Sequence, residues 1–127
     1  MRQHAASASP LEPVIGFSRA VRSGPVVAVA GTAPIGPDGE TVGPDDVEAQ
    51  VRRCFEVALA ALADVGGGVA DVIRTRIMLT DIAEWETAAR VHGELFAEAR
   101  PACTFVEVSG FVDSEWLVEV ELDAYVE

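Results

Sequence analysis

Over residues 116–126 the chain alternates between two kinds of side chain. Trp116, Val118, Val120, Leu122 and Ala124 fall on one side of an extended strand, and Leu117, Glu119, Glu121, Asp123 and Tyr125 on the other. Successive strand side chains point to opposite faces, so this segment predicts a sheet with one apolar face and one largely acidic face. The apolar face needs a cover, and two helical segments can supply it. The first starts at Asp45, an N-terminal cap with Glu48 three residues on, and repeats Val47, Val51, Phe55, Ala58, Leu59 and Leu62 at helical spacing until Gly66-Gly67-Gly68. The second has Asp81 and Glu84 at the same cap spacing, an apolar stripe of Trp85, Ala89, His92 and Phe96, and a stop at Arg100-Pro101.

The remaining strands are short. Residues 17–21 and 26–30 form a hairpin around Arg22-Ser23-Gly24-Pro25, and 104–108 precede the last strand. The β-branched run Val72–Leu79 is a middle strand in which Ile73, Thr75, Ile77 and Leu79 oppose Val72, Arg74, Arg76 and Met78. Residues 1–13 read as an extended lead-in and 31–39 as a loop rich in Gly and Pro. The order is ββαβαββ: an α+β fold, one sheet with both helices on one face, and a single domain across residues 1–127. The uncovered face carries Leu117, Met78 and Val72 among its charges, which predicts a subunit interface.

Charge narrows the function. Twenty-one acids stand against 9 bases, a formal net charge of −12. Nucleic acids and acidic membranes attract clustered cations, so neither is an expected partner. Every base is arginine. Without lysine there is no Schiff base and no covalently held pyridoxal phosphate. No phosphate loop, Cys/His zinc spacing or Gly-x-Ser-x-Gly elbow occurs, so no metal and no cofactor is expected. With two cysteines, no bilayer-length apolar run and no apolar N-terminal stretch, a cytoplasmic protein is the expectation.

The residues alone leave the chemistry open. His92, on a helix stripe, reads as a core-edge histidine with one hydrogen bond rather than a catalyst. Arg74 and Arg76 read as partners in cross-strand ion pairs. Glu119 and Glu121 share a strand face; they could divide acid and base roles, or one could pair with an arginine. Cys103 is a small apolar filler or, beside a cation, a reactive thiol.

Several segments, in order, resemble the Rid/YjgF family, whose members are also described as L-PSP endoribonucleases. They are Ser9-Pro10-Leu11-Glu12, Gly16-Phe17-Ser18-Arg19-Ala20-Val21, Gly31-Thr32-Ala33-Pro34, Gln50, Asp71-Val72-Ile73-Arg74-Thr75-Arg76, Leu79-Thr80-Asp81, Trp85, Pro101-Ala102-Cys103-Thr104-Phe105-Val106-Glu107-Val108 and Leu117-Val118-Glu119-Val120-Glu121. The resemblance implies a chorismate-mutase-like fold with a mixed sheet, and a homotrimer with three small-molecule clefts between subunits. It implies hydrolysis of enamines or imines, with Glu119 positioning the attacking water and Phe17, Ala30, Gly31, Cys103 and Thr104 lining the cleft. In the deaminating members an arginine of a Pro-x-Arg-Ser/Thr motif clamps the substrate carboxylate, a task suited to a bidentate guanidinium.

Here that arginine is Cys103, the first-strand tyrosine is Phe17, and a serine or threonine before the glycine is Ala30. The expectation is therefore an arginine-free member acting on a C–N bond of a metabolite other than 2-aminoacrylate. A non-catalytic ligand-binding trimer is the alternative. Ribonuclease activity comes third, because the charge opposes it.

Overall fold

The computed structural model describes residues 2–7 and 9–127. Six strands form one mixed sheet: β1 (Arg2–Ala5), β2 (Ala20–Ser23), β3 (Val26–Thr32), β4 (Val72–Leu79), β5 (Ala102–Glu107) and β6 (Val118–Tyr125). Their lateral order is β1-β2-β3-β6-β4-β5. All neighbours run antiparallel except β4 and β5, which are parallel. A parallel pair needs a crossover, and α3 (Trp85–Phe96) provides it. The longer helix α2 (Val47–Asp64) connects β3 to β4, which flank β6 on either side. The short α1 (Leu11–Ile15) closes on Gly16, whose φ of 87° is the left-handed conformation glycine adopts most readily.

Thus the α+β arrangement with two main helices covering one face of the sheet holds. Its N-terminal part is richer than the expected lead-in, since β1 and α1 lie there. β2 begins at Ala20 rather than at residue 17, and the hairpin turns through Gly24 and Pro25.

The alternation of β6 appears as expected: Val118, Val120, Leu122 and Ala124 are buried, and the intervening residues are not. In β4 the alternation fails at one place. Ala124 and Asp123 of β6 face Val72 and Arg74, so β4 carries one extra residue there. Such a bulge shifts the pleat. It puts Val72 into the core at 3 % exposure and turns Ile73 out at 56 %, reversing the expected roles of both.

The cap of α2 is Asp46, not Asp45: its carboxylate accepts the Ala49 backbone N–H at 3.1 Å. Asp45 instead adopts a left-handed φ of 66° just before it. Asp81 does cap, but over a 3₁₀ turn (Ile82–Glu84) that precedes α3. The buried stripe of α3 is Ala88, Val91 and Phe96, so Trp85 lies outward of the expected face.

Gln50 ties the layers together. Its amide donates to the carbonyls of Gly43 and Glu115 at 3.3 and 3.0 Å and accepts from the Leu117 N–H at 2.8 Å. A fully buried amide held this way fixes α2 against the entry to β6. His92 takes the bland role: its Nε2 meets the Thr75 hydroxyl at 2.8 Å and its ring packs against both Phe55 and Phe96. Burial lowers its pKa, so the neutral ring is favoured. Among the described residues no helix is long and apolar enough to cross a membrane.

Candidate functional site

Three acids project from the open face of β6, and β4 meets them differently. Arg76 lies opposite Glu121 and forms an ion pair with it. Arg74 lies opposite Asp123, at 3.7 Å. Both pairs are substantially exposed, so each contributes less than about 1 kcal/mol. Glu119 lies opposite Met78 and has no such partner. Glu121 is thus the ion-paired member of the two glutamates, and Glu119 is left for other work.

On its other side, Glu119 meets a second bulge. Val29 and Thr32 of β3 pair with Leu122 and Val120, three residues spanning two. The bulged strand brings Gly31 against the Glu119 carboxylate: a Cβ placed there would lie 2.9 Å from Oε1. A side chain there would displace the carboxylate from this position. The bulge also turns Thr32 inward, where its hydroxyl donates to the Ala30 carbonyl at 2.7 Å.

Glu119 and Gly31 open onto a cavity of about 610 Å³ that Phe17, Arg19, Arg53 and Trp116 also line. α1 and the 31–39 segment contribute further walls. Arg19 is 7 % exposed, and its guanidinium donates to the Gly31 carbonyl, to Thr32 Oγ1 and, through Nε, to Ser7 Oγ. It also lies over the Phe17 ring, 5.1 Å from the centroid. Ser7 is itself held by Glu12, which accepts from its hydroxyl at 2.7 Å and its N–H at 3.0 Å.

The electrostatics follow from this packing. Burial pushes the Glu119 carboxyl above its ordinary pKa, Arg19 opposes that rise, and Glu121 adds to it. Burial likewise lowers the Arg19 pKa, against the pull of Glu12 and Glu119. Two carboxylates therefore favour the charged form of this buried guanidinium. The Trp116 Nε1 is buried with no partner among the described residues.

Of the residues expected to line the cleft, Phe17, Gly31 and Glu119 come together here. Ala30 lines a shallower depression of about 390 Å³ on the open sheet face, with Arg74, Arg76 and Glu121. Cys103 and Thr104 lie on β5, at the sheet edge, with β4 between them and β6. Cys103 pairs with Thr75 and shares the helix-side face with Phe105, whereas Thr104 pairs with Arg76. Neither lines the Glu119 cavity within one chain. The other cysteine, Cys54, is fully buried, and burial raises its thiol pKa, which makes it inert.

Arg53 and Trp116 were not expected at the site. Arg53 adjoins the apolar stripe of α2, and nothing in the helical pattern distinguishes it from a solvated arginine. Trp116 begins the apolar side of the last strand, which by itself points to the core.

The charge pairing at Arg19 has a direct consequence. Arg19 favours the ionised form of Glu119, so Arg19→Met should move the Glu119 protonation midpoint to higher pH, read from its side-chain carboxyl ¹³C shift. An unchanged or lower midpoint would contradict the pairing.

Residues 7–126 match the Endoribonuclease L-PSP family model. An uncharacterised protein of Streptomyces coelicolor is 42% identical over 119 residues, covering 94% of this chain and 88% of that one. A 3-aminoacrylate deaminase, RutC, of Acinetobacter baylyi is 32% identical over 114 residues, 90% of each chain. The crystal structure of a member of the YjgF/YER057c/UK114 family from Mycobacterium tuberculosis superposes with a TM-score of 0.90 at 42% identity, covering 99% of this chain and 100% of that one. With the family model spanning nearly the whole chain and the relatives matching end to end, the protein belongs to the Rid/YjgF family, which is related to imine and enamine deaminases.

Proposed function

We propose that the protein hydrolyses the C–N bond of an enamine or imine metabolite other than 2-aminoacrylate, with Glu119 as its proton-handling group. The observation that carries this reading is the half-buried Glu119 carboxylate, free of a cross-strand arginine and set at the wall of a ligand-sized cavity. The relationship to a 3-aminoacrylate deaminase supports the same bond as the target.

The chemistry requires little machinery. An enamine takes a proton on carbon and gives one up from nitrogen to become an imine. Water then adds to the imine carbon while Glu119 accepts one of its protons, and the nitrogen is protonated. The carbinolamine collapses: the C–N bond breaks, ammonia leaves, and a carbonyl compound remains. A carboxyl group whose pKa is raised by burial exchanges protons near neutrality more readily than an exposed one.

Cys103 and Thr104 fit this reading if a second subunit supplies them. A homotrimer, the assembly expected from the resemblance, would bring the β5 edge of a neighbour to the Glu119 cavity. Cys103 then leaves space where an arginine would clamp a small acid. A non-catalytic binding trimer is the second reading, favoured by the apolar side chains of Leu11, Phe17, Val57 and Trp116 in the cavity. The net charge of −12 leaves RNA cleavage third.

Glu119→Gln should reduce imine hydrolysis by about 100-fold or more, within the range of a lost general acid–base group. Cys103→Ala should leave it within about twofold, because this reading gives the side chain only a space-filling role. Protection of a pyridoxal-phosphate transaminase from 2-aminoacrylate should be weak. A fully active Glu119→Gln variant, or protection equal to an arginine-bearing relative, would refute the assignment. For the assembly, sedimentation at micromolar concentration should give a trimer, and a stable monomer would exclude it.

A further inference from the structure

The 31–39 segment forms one wall of the cavity, and the two ends of that wall differ in charge. At one end Gly31 carries Glu119. Four residues on, the Ile35 carbonyl accepts the Arg53 Nε at 2.7 Å, which brings a guanidinium of α2 to the same cavity. Four residues of chain span at most ~14 Å, so both ends remain within reach of one small molecule.

Arg19 sits at the Glu119 end of the cavity, where its Nε donates to Ser7 and its Nη1 to Gly31 and Thr32. Arg53 is different. Besides Ile35 it meets Glu56 at 3.3 Å, and Glu56 is 58 % exposed, a weak competitor for the guanidinium. Its Nη2 has no partner among the described residues. Asp38, an acid of the same wall, is turned to its own loop, accepting the Glu40 N–H at 3.0 Å. The cavity's apolar lining comes from Leu11, Ile15, Phe17, Val57, Val112 and Trp116.

We propose that Arg53 is the specificity-determining residue of this cavity and binds a carboxylate separated by an apolar body from the C–N bond that reacts at Glu119. This deepens the hydrolase reading above and rests on it for the reacting bond alone. The substrate class is an imine or enamine with an aromatic or branched body and a remote carboxylate. In 2-aminoacrylate the carboxylate adjoins the reacting carbon, with no apolar body between the two.

Unreactive probes separate the two claims. Calorimetric titration with 3-phenylpropionate, 3-phenylpropionamide and propionate should show the aromatic acid binding about tenfold more tightly than its amide, as a charge-assisted guanidinium contact requires. Propionate should bind more weakly than the aromatic acid. Arg53→Gln should abolish the acid preference, whereas Glu119→Gln should retain it. Equal binding of acid and amide, or an acid preference that survives Arg53→Gln, overturns the subsite even if imine hydrolysis is intact. The expected preference in a protein that hydrolyses no imine supports the subsite and removes the hydrolase reading. Should Arg53→Gln fail to fold, Trp85→Phe leaves Trp116 as the sole indole. Its emission should shift with 3-phenylpropionate and not with propionate; no shift overturns the proposal.

Discussion

The close approach of Gly31 to the Glu119 carboxylate shapes this end of the molecule. It exists because β3 carries one residue more than the stretch of β6 it pairs with, so the strand arches at 30–31 and Thr32 returns to the core. A side chain at position 31 would meet the carboxylate oxygen below van der Waals distance. Under the same arch Arg19 donates to the Gly31 carbonyl, and the charges of Glu12 and Glu119 favour its protonated form. Desolvation and a nearby cation therefore act on one carboxylate in opposite directions, and burial is the larger effect.

The rest of the sheet isolates that group. β4 offers arginines to Glu121 and Asp123 but a methionine to Glu119, so two of the three acids are neutralised within the face and one is not. α2 supports the arrangement from the opposite side. Gln50 fixes the helix to the approach of β6, and Arg53, three residues later, reaches the Ile35 carbonyl. One helix thereby supports both the approach to β6 and a wall of the cavity.

Much of this was legible in the residues. The alternation of β6, the run Val72–Leu79 and the apolar spacing of α2 each reflect burial on one face, and periodicity reports burial directly. Bulges are what periodicity does not report. The extra residue in β4 exchanged the expected roles of Val72 and Ile73, and the one in β3 created the Gly31 contact, which no spacing announces. Caps shifted by one residue for a related reason: Asp45 and Asp46 are both good caps, and backbone conformation decides between them. At the site, Glu119, Gly31 and Phe17 came from family resemblance and converge in space. Arg53 was invisible because its role depends on a loop carbonyl far away in sequence. Cys103 and Thr104 lie apart from the cavity because a single chain holds β5 at the opposite sheet edge.

If Glu119 activates water, that water must have a place in the resting site. A crystal structure of the assembled, ligand-free protein, at a resolution that shows ordered water, tests this directly. The account predicts a water within hydrogen-bond distance of the Glu119 carboxylate and also held by a backbone N–H at the arch of β3. A dry, apolar pocket beside Glu119 would contradict hydrolysis and leave a site that binds its ligand without changing it.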